Sequence, residues 1–201
     1  MLLIYLHGFN SSPLSAKAQQ LQHYCQRLGL ADRLSVPTLP PSPAAAIAQV
    51  EAEIARHEQV ALVGSSLGGF YATWLAEQHG CRAVLINPAV APWKLLDKRT
   101  GTQYNYHTGE AWELQPEWVD ELQGFAVARL SRPDNLLLLT QTGDETLDWR
   151  DGWDYYRDCH RYQGLGGSHG FDDFDAFIPL ILRFCGVGQQ GFDQQHVNQK
   201  Q

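Results

Sequence analysis

Short apolar runs alternate along this chain with stretches of helical period. Residues 2–6, 60–63, 83–86 and 136–139 are apolar at consecutive positions. That is the pattern of parallel strands covered on both faces. Two weaker runs, 33–36 and 160–163, predict further strands. Helices are expected between them. Ser12-Pro13 reads as an N-cap followed by proline at the first helical position, opening a helix to residue 28. Ser42-Pro43 repeats the signal before a helix to residue 57. Two more helices are expected over 67–79 and 174–184, and Asp148 reads as the N-cap of a helix carrying Trp149, Trp153 and Tyr156. Alternating strands and helices build βαβ units, so the fold class is α/β: a small, mostly parallel sheet of about six strands with helices on both faces.

One connection breaks the alternation. Residues 92–133 hold no convincing strand, and a helix is expected from Pro116, with Trp118, Leu122 and Phe125 at i, i+4 and i+7 on one face. The segment is too long for a plain loop and predicts a helical lid insertion over the C-terminal edge of the sheet. The domain is expected to span 1–187. Residues 188–201, rich in Gln and Gly, are expected to form a disordered tail.

Composition narrows the function classes. The chain has 201 residues, 15 Lys and Arg against 22 Asp and Glu, and a net charge of −7. An acidic balance without basic runs argues against a nucleic-acid partner. No apolar stretch reaches the ~18 residues of a membrane span. Met1 leads directly into the first strand with no basic or small-residue targeting pattern, so a cytoplasmic protein is expected. Cys25, Cys81, Cys159 and Cys185 form no C-x-x-C pair and read as free thiols. Neither a metal nor an organic cofactor is implied.

The candidate chemistry starts at Gly64-Ser65-Ser66-Leu67-Gly68, a G-x-S-x-G pattern. It follows a strand and opens a helix, the setting of a nucleophile elbow in which Ser66 projects from a tight turn. A serine hydroxyl needs a base in reach and an acid to orient that base. In this arrangement the partners follow in the order acid, then histidine. Gly143-Asp144 ends the 136–142 run, and Gly167-Ser168-His169-Gly170 precedes the last helix. Asp144 is the preferred acid over the helix-capping Asp148, and His169 the preferred base over His160. His7-Gly8-Phe9-Asn10 closes the first strand. The N–H groups of Phe9 and Leu67 are the candidate oxyanion donors, and His7 reads as a structural histidine bonded to backbone.

These stretches resemble the α/β-hydrolase superfamily and, more closely, the small bacterial esterases of the YqiA and YcfP type. The resemblance is carried by residues 5–13, 64–72, 87–89 (Asn-Pro-Ala), 142–145 and 166–169. It implies an α/β-hydrolase fold and hydrolysis of carboxylic or thioester acyl groups, with Ser66 as nucleophile, Asp144 as acid and His169 as base. A small-molecule acyl ester or thioester is the implied partner. Amidase and perhydrolase chemistry use the same triad, and a catalytically silent binding or interaction protein is the alternative from another class. Trp93, Tyr104, Tyr106, Trp112, Trp118 and Phe125 crowd the insertion. Trp93 and Trp118 are candidate substrate-binding residues, with a small core of the insertion's own as the competing reading. Lys94, Lys98 and Arg99 form a basic cluster, read as solvated surface, with contact to an anionic substrate as its alternative.

Overall fold

Five apolar residues in a row carry the chain straight through the middle of the molecule, as strand β1 (Leu2–Leu6), every side chain of which is buried. Helix α1 (Ala16–Arg27), β2 (Leu34–Ser35), α2 (Pro43–Ile54), β3 (Val60–Ser65), α3 (Leu67–His79) and β4 (Arg82–Ile86) follow. The connection after β4 carries α4 (Trp93–Leu96), strands β5 (Gly101–Tyr104) and β6 (Ala111–Leu114), and α5 (Pro116–Gly124). The chain closes with β7 (Leu136–Gln141), α6 (Trp149–Tyr155), β8 (His160–Gly164) and α7 (Phe174–Cys185). The computed structural model describes residues 1–188, so the expected tail, 188–201, lies outside the described residues save for Gly188.

Six strands form one parallel sheet in the order β2-β1-β3-β4-β7-β8. Alternation along each strand sends its side chains to two cores. Leu2, Ile4 and Leu6 join α2, α3 and α5 on one face. Leu3, Tyr5, Val63, Val84 and Leu139 join α1 and α7 on the other. Helix α3 is apolar nearly all round and lies buried against β1, β3 and β4. From β1 the chain goes to one edge through β2 and then returns to the other side through β3. The strand order therefore reverses between β1 and β3, where open α/β sheets leave a crevice beyond their strand C-termini.

Three expectations need correcting. Residues 92–133 do contain strands: β5 and β6 pair antiparallel, from Gly101 opposite Leu114 to Tyr104 opposite Ala111. Their half-exposed alternation, not a continuous apolar run, is what a two-stranded ribbon on a surface shows. The turn between them is set by Asn105, whose Oδ1 accepts from His107 N and Thr108 N, and by Gly109 at φ 71°. The first helix also starts later than Ser12-Pro13 predicts. The Ser12 Oγ accepts from Leu14 N and its carbonyl from Ser15 N, so Ser12 closes a local turn and Ser15 takes the N-cap position. Helix α2 ends at Ile54, three residues short of expectation, while Ser42 caps it through Ala45 N as its sequence suggests.

Candidate active site

The elbow is built from backbone crowding. Ser66 has φ 56° and ψ −118°, a region an L-residue occupies only when its surroundings impose it. Its N–H donates to Ile86 O on β4, and its carbonyl accepts from Gly69 N and Ala89 N. A Cβ at Gly64 would overlap the Gly68 carbonyl, and one at Gly68 would overlap the Leu6 carbonyl. Both glycines are therefore required by close approach, and the turn is held between β1, β3 and α3.

The structure brings three of the candidate side chains together. His169 Nε2 lies 3.0 Å from Ser66 Oγ, and His169 Nδ1 lies 2.8 Å from Asp144 Oδ2. The Asp144 side chain is only 1% exposed, the His169 ring 22%. The other Asp144 oxygen accepts from Thr146 N and Leu147 N, which fixes the carboxylate plane. An acceptor facing Nδ1 makes Nδ1 the protonated nitrogen and leaves the Nε2 lone pair aimed at the serine hydroxyl. The rival residues stand elsewhere. Asp148 caps α6 by accepting from Arg150 N, and His160 is exposed on β8.

Phe9 and Leu67 lie at the same crevice, and with Gly8, Ser66 and His169 they line a cavity of about 320 Å³. As the first residue of α3, Leu67 has no intrahelical acceptor for its N–H. A Cβ on Gly8 would sit 3.2 Å from the Ser66 Cβ, so the Phe9 loop passes directly over the elbow. His7 is 5% exposed and bonds backbone on both sides: Nδ1–H donates to Gly8 O, and Nε2 accepts from Leu39 N. Burial pulls its pKa below the ordinary value, the cause being loss of hydration of the charged ring.

The insertion reaches the site through two leucines the sequence did not single out and through one member each of the basic cluster and the aromatic group that it did. Leu95, Leu96, Arg99 and Tyr106 line the cavity over Ser66, whereas Trp93 and Trp118 are not part of that lining. Trp93 packs edge-on to Phe70, and Trp118 stacks on Trp112. The β5–β6 ribbon is tied to the Phe9 loop. Trp112 Nε1 donates to Asn10 Oδ1, Tyr106 N to Asn10 O, and Asn105 Nδ2 to Ser11 O, while the Phe9 and Trp112 rings meet edge-on at 5.4 Å.

Three braces of the histidine loop were missed. Asn87, buried at the end of β4, donates from Nδ2 to the carbonyls of Ser168 and His169 and accepts Gln141 N at Oδ1. Gln141 Oε1 accepts from Ser168 N and Asp172 N. The Glu145 carboxylate accepts the His169 N–H at 2.9 Å, and that bond holds its pKa below the usual range. A polar residue closing an otherwise apolar strand was the available signal for Asn87 and Gln141. Nothing local marks Glu145. Among the described residues no group of three His, Cys, Asp or Glu side chains is placed to hold a metal ion, and no helix is long and apolar enough to cross a membrane.

A family model described as Uncharacterised protein family (UPF0227) matches residues 2–186. The chain belongs to this family. Solved structures share its architecture at low identity. A putative hydrolase from Agrobacterium vitis S4 is 16% identical with a TM-score of 0.72, over 92% of this chain and 87% of that one. Est1E from Butyrivibrio proteoclasticus, solved with ferulic acid, is 13% identical with a TM-score of 0.69, over 91% and 87%. Mouse alpha/beta hydrolase domain-containing protein 10 is 17% identical with a TM-score of 0.66, over 96% and 90%. The UPF0227 chain thus has the α/β-hydrolase fold.

Proposed function

We propose that this UPF0227 protein is a serine hydrolase that cleaves small carboxylic esters or thioesters through an acyl-enzyme. The observation that carries the reading is the continuous hydrogen-bonded line from Ser66 Oγ through the His169 ring to Asp144, opening on a cavity. Ser66 Oγ attacks the acyl carbonyl carbon while His169 Nε2 takes its proton. The oxyanion that forms accepts the N–H groups of Phe9 and Leu67, each such donor being worth about 2.7–4 kcal/mol in comparable sites. Collapse breaks the bond to the alcohol or thiol, which leaves with the proton from His169. Water then attacks the acyl-enzyme, His169 again taking the proton, and the acid departs. Asp144 stays ionised throughout, holding the imidazole in its tautomer and stabilising the imidazolium. No step calls for a metal or organic cofactor.

The net charge of −7 favours a small-molecule substrate over nucleic acid. Kinship in fold to a ferulate-binding esterase supports ester chemistry without fixing the acid. The test combines a fluorophosphonate probe with a panel of nitrophenyl esters and acyl thioesters. Wild type is expected to label at Ser66 and to turn over part of the panel. Ser66→Ala is expected to lose labelling and at least about 10³-fold in kcat while keeping its melting temperature. A folded wild type that neither labels nor turns over would favour a silent binding protein instead.

A further inference from the structure

The cavity over Ser66 carries positive charge that the reaction leaves unused. Lys17 and Arg99 both line it, and among the described residues no carboxylate lies within ion-pair distance of either. Lys17, in the first turn of α1, is half-buried. Its Nζ donates to Gly170 O at 2.7 Å. An ammonium has three N–H groups, so two remain for another acceptor. Loss of hydration draws the Lys17 pKa down to about 8 against the pull of Asp144, so the group stays mostly charged at neutral pH. Asp144 attracts it from beyond ion-pair distance, its carboxylate oxygens accepting from His169, Thr146 and Leu147.

A half-buried cation with two unused N–H groups and no carboxylate in ion-pair reach is costly unless a ligand completes it. We propose that the cavity selects substrates that carry a carboxylate on the arm reaching Lys17, such as a monoester of a dicarboxylic acid or an ester of a hydroxy acid. Leu95, Leu96 and Leu147 line the same space and suit a short apolar spacer between that carboxylate and the scissile bond. The single ammonium and the small volume fit a carboxylate. Arg99, exposed at the mouth, adds attraction from outside. The carboxylate is a spectator: the acyl bond to oxygen or sulfur breaks as before, and water supplies the new oxygen.

This inference rests on the hydrolase reading, and its experiment separates the two. Two matched pairs are compared by kcat/KM at pH 7. One pair is mono-4-nitrophenyl glutarate against its methyl ester, with the charge on the acyl arm. The other is 4-acetoxybenzoate against its methyl ester, with the charge on the leaving arm. Wild type is expected to prefer the carboxylate member of at least one pair by about tenfold or more, the scale of one charge-assisted hydrogen bond. Lys17→Met is expected to collapse that ratio by about tenfold, with Lys17→Arg restoring part of it. Equal rates in both pairs, or a Lys17→Met loss shared equally by charged and neutral members, would overturn the proposal and leave Lys17 as a brace for the histidine loop. The wild-type ratio, divided by the ratio of the two members' uncatalysed hydrolysis rates, needs no variant, so it decides the matter even if Lys17→Met does not fold. Failure of the hydrolase reading would look different: wild type would turn over neither member of either pair, charged or neutral, faster than Ser66→Ala does.

Discussion

The two sides of the crevice are held by different physics. On one side the 64–68 turn is fixed by backbone packed on backbone, with a β1 carbonyl against Gly68 and a β4 carbonyl bonded to Ser66 N. On the other side the Phe9 loop is held from outside by polar bonds to a surface ribbon, through Asn10, Ser11, Asn105 and Trp112. The position of Ser66, the proposed nucleophile, is thus part of the core, whereas the candidate oxyanion donor at Phe9 depends on a two-stranded element with a half-exposed face. Positional rigidity at the serine comes at folding. Positional rigidity at the Phe9 loop comes from contacts that open locally at lower cost.

Substitutions can break that contrast. The largest effect is expected from Gly68→Ala, whose new methyl meets the Leu6 carbonyl, an atom that cannot move without shifting β1. A loss of about 3 kcal/mol, the upper end for overpacking, or roughly 10 °C in melting temperature, is expected. A melt within 3 °C of wild type would show that the elbow is looser than its packing says. Trp112→Phe tests the other side. It keeps an aromatic ring against Phe9 and deletes the indole N–H bond to Asn10. Stability should fall by only about 1 kcal/mol. If the ribbon positions the oxyanion donor, kcat on a reactive ester should drop several-fold with KM little changed. Unchanged kcat would detach the ribbon from catalysis.

The smallest effect concerns His7, at the foot of the same loop. Its folded-state pKa is lowered by burial, so below about pH 6.5 the unfolded chain binds a proton that the native state resists. Native stability is therefore expected to decline as pH falls below that value and to level off below the folded-state pKa. Urea melts at graded pH, compared with His7→Gln, check this. A difference between the two chains that does not change between pH 7 and pH 5 would mean that His7 is not held neutral.

Legibility followed the same divide. β1, β3, β4 and β7 announced themselves because strands covered on both faces must be apolar at every position. β5 and β6 did not, since four-residue strands with one wet face carry little pattern. Ser66, Asp144 and His169, the candidates that the structure brings together, could be picked out from sequence because each sits in a glycine-flanked turn next to a strand or helix signal. Their supports could not be named so readily. Glu145 meets His169 N across 24 residues, Asn87 meets Ser168 across 81, and Lys17 meets Gly170 across 153. Such pairings exist only once the sheet has brought its strand ends to one edge. The aromatic residues of the insertion show how composition misleads: an abundance of rings said nothing about which ones face Ser66. Tyr106 does, while Trp93 and Trp118 pack on other rings.

The positive φ of Ser66 has a consequence for how this side chain behaves over time. A hydroxyl on a flexible loop is retracted and presented as the loop breathes, so the reactive population is a fraction of the whole. Here the unusual backbone geometry is a by-product of strand pairing and helix docking, with no rearrangement of its own. Every native molecule holds the Ser66 Cα and Cβ at the crevice from the moment the sheet closes, and withdrawing them means dismantling the protein's interior.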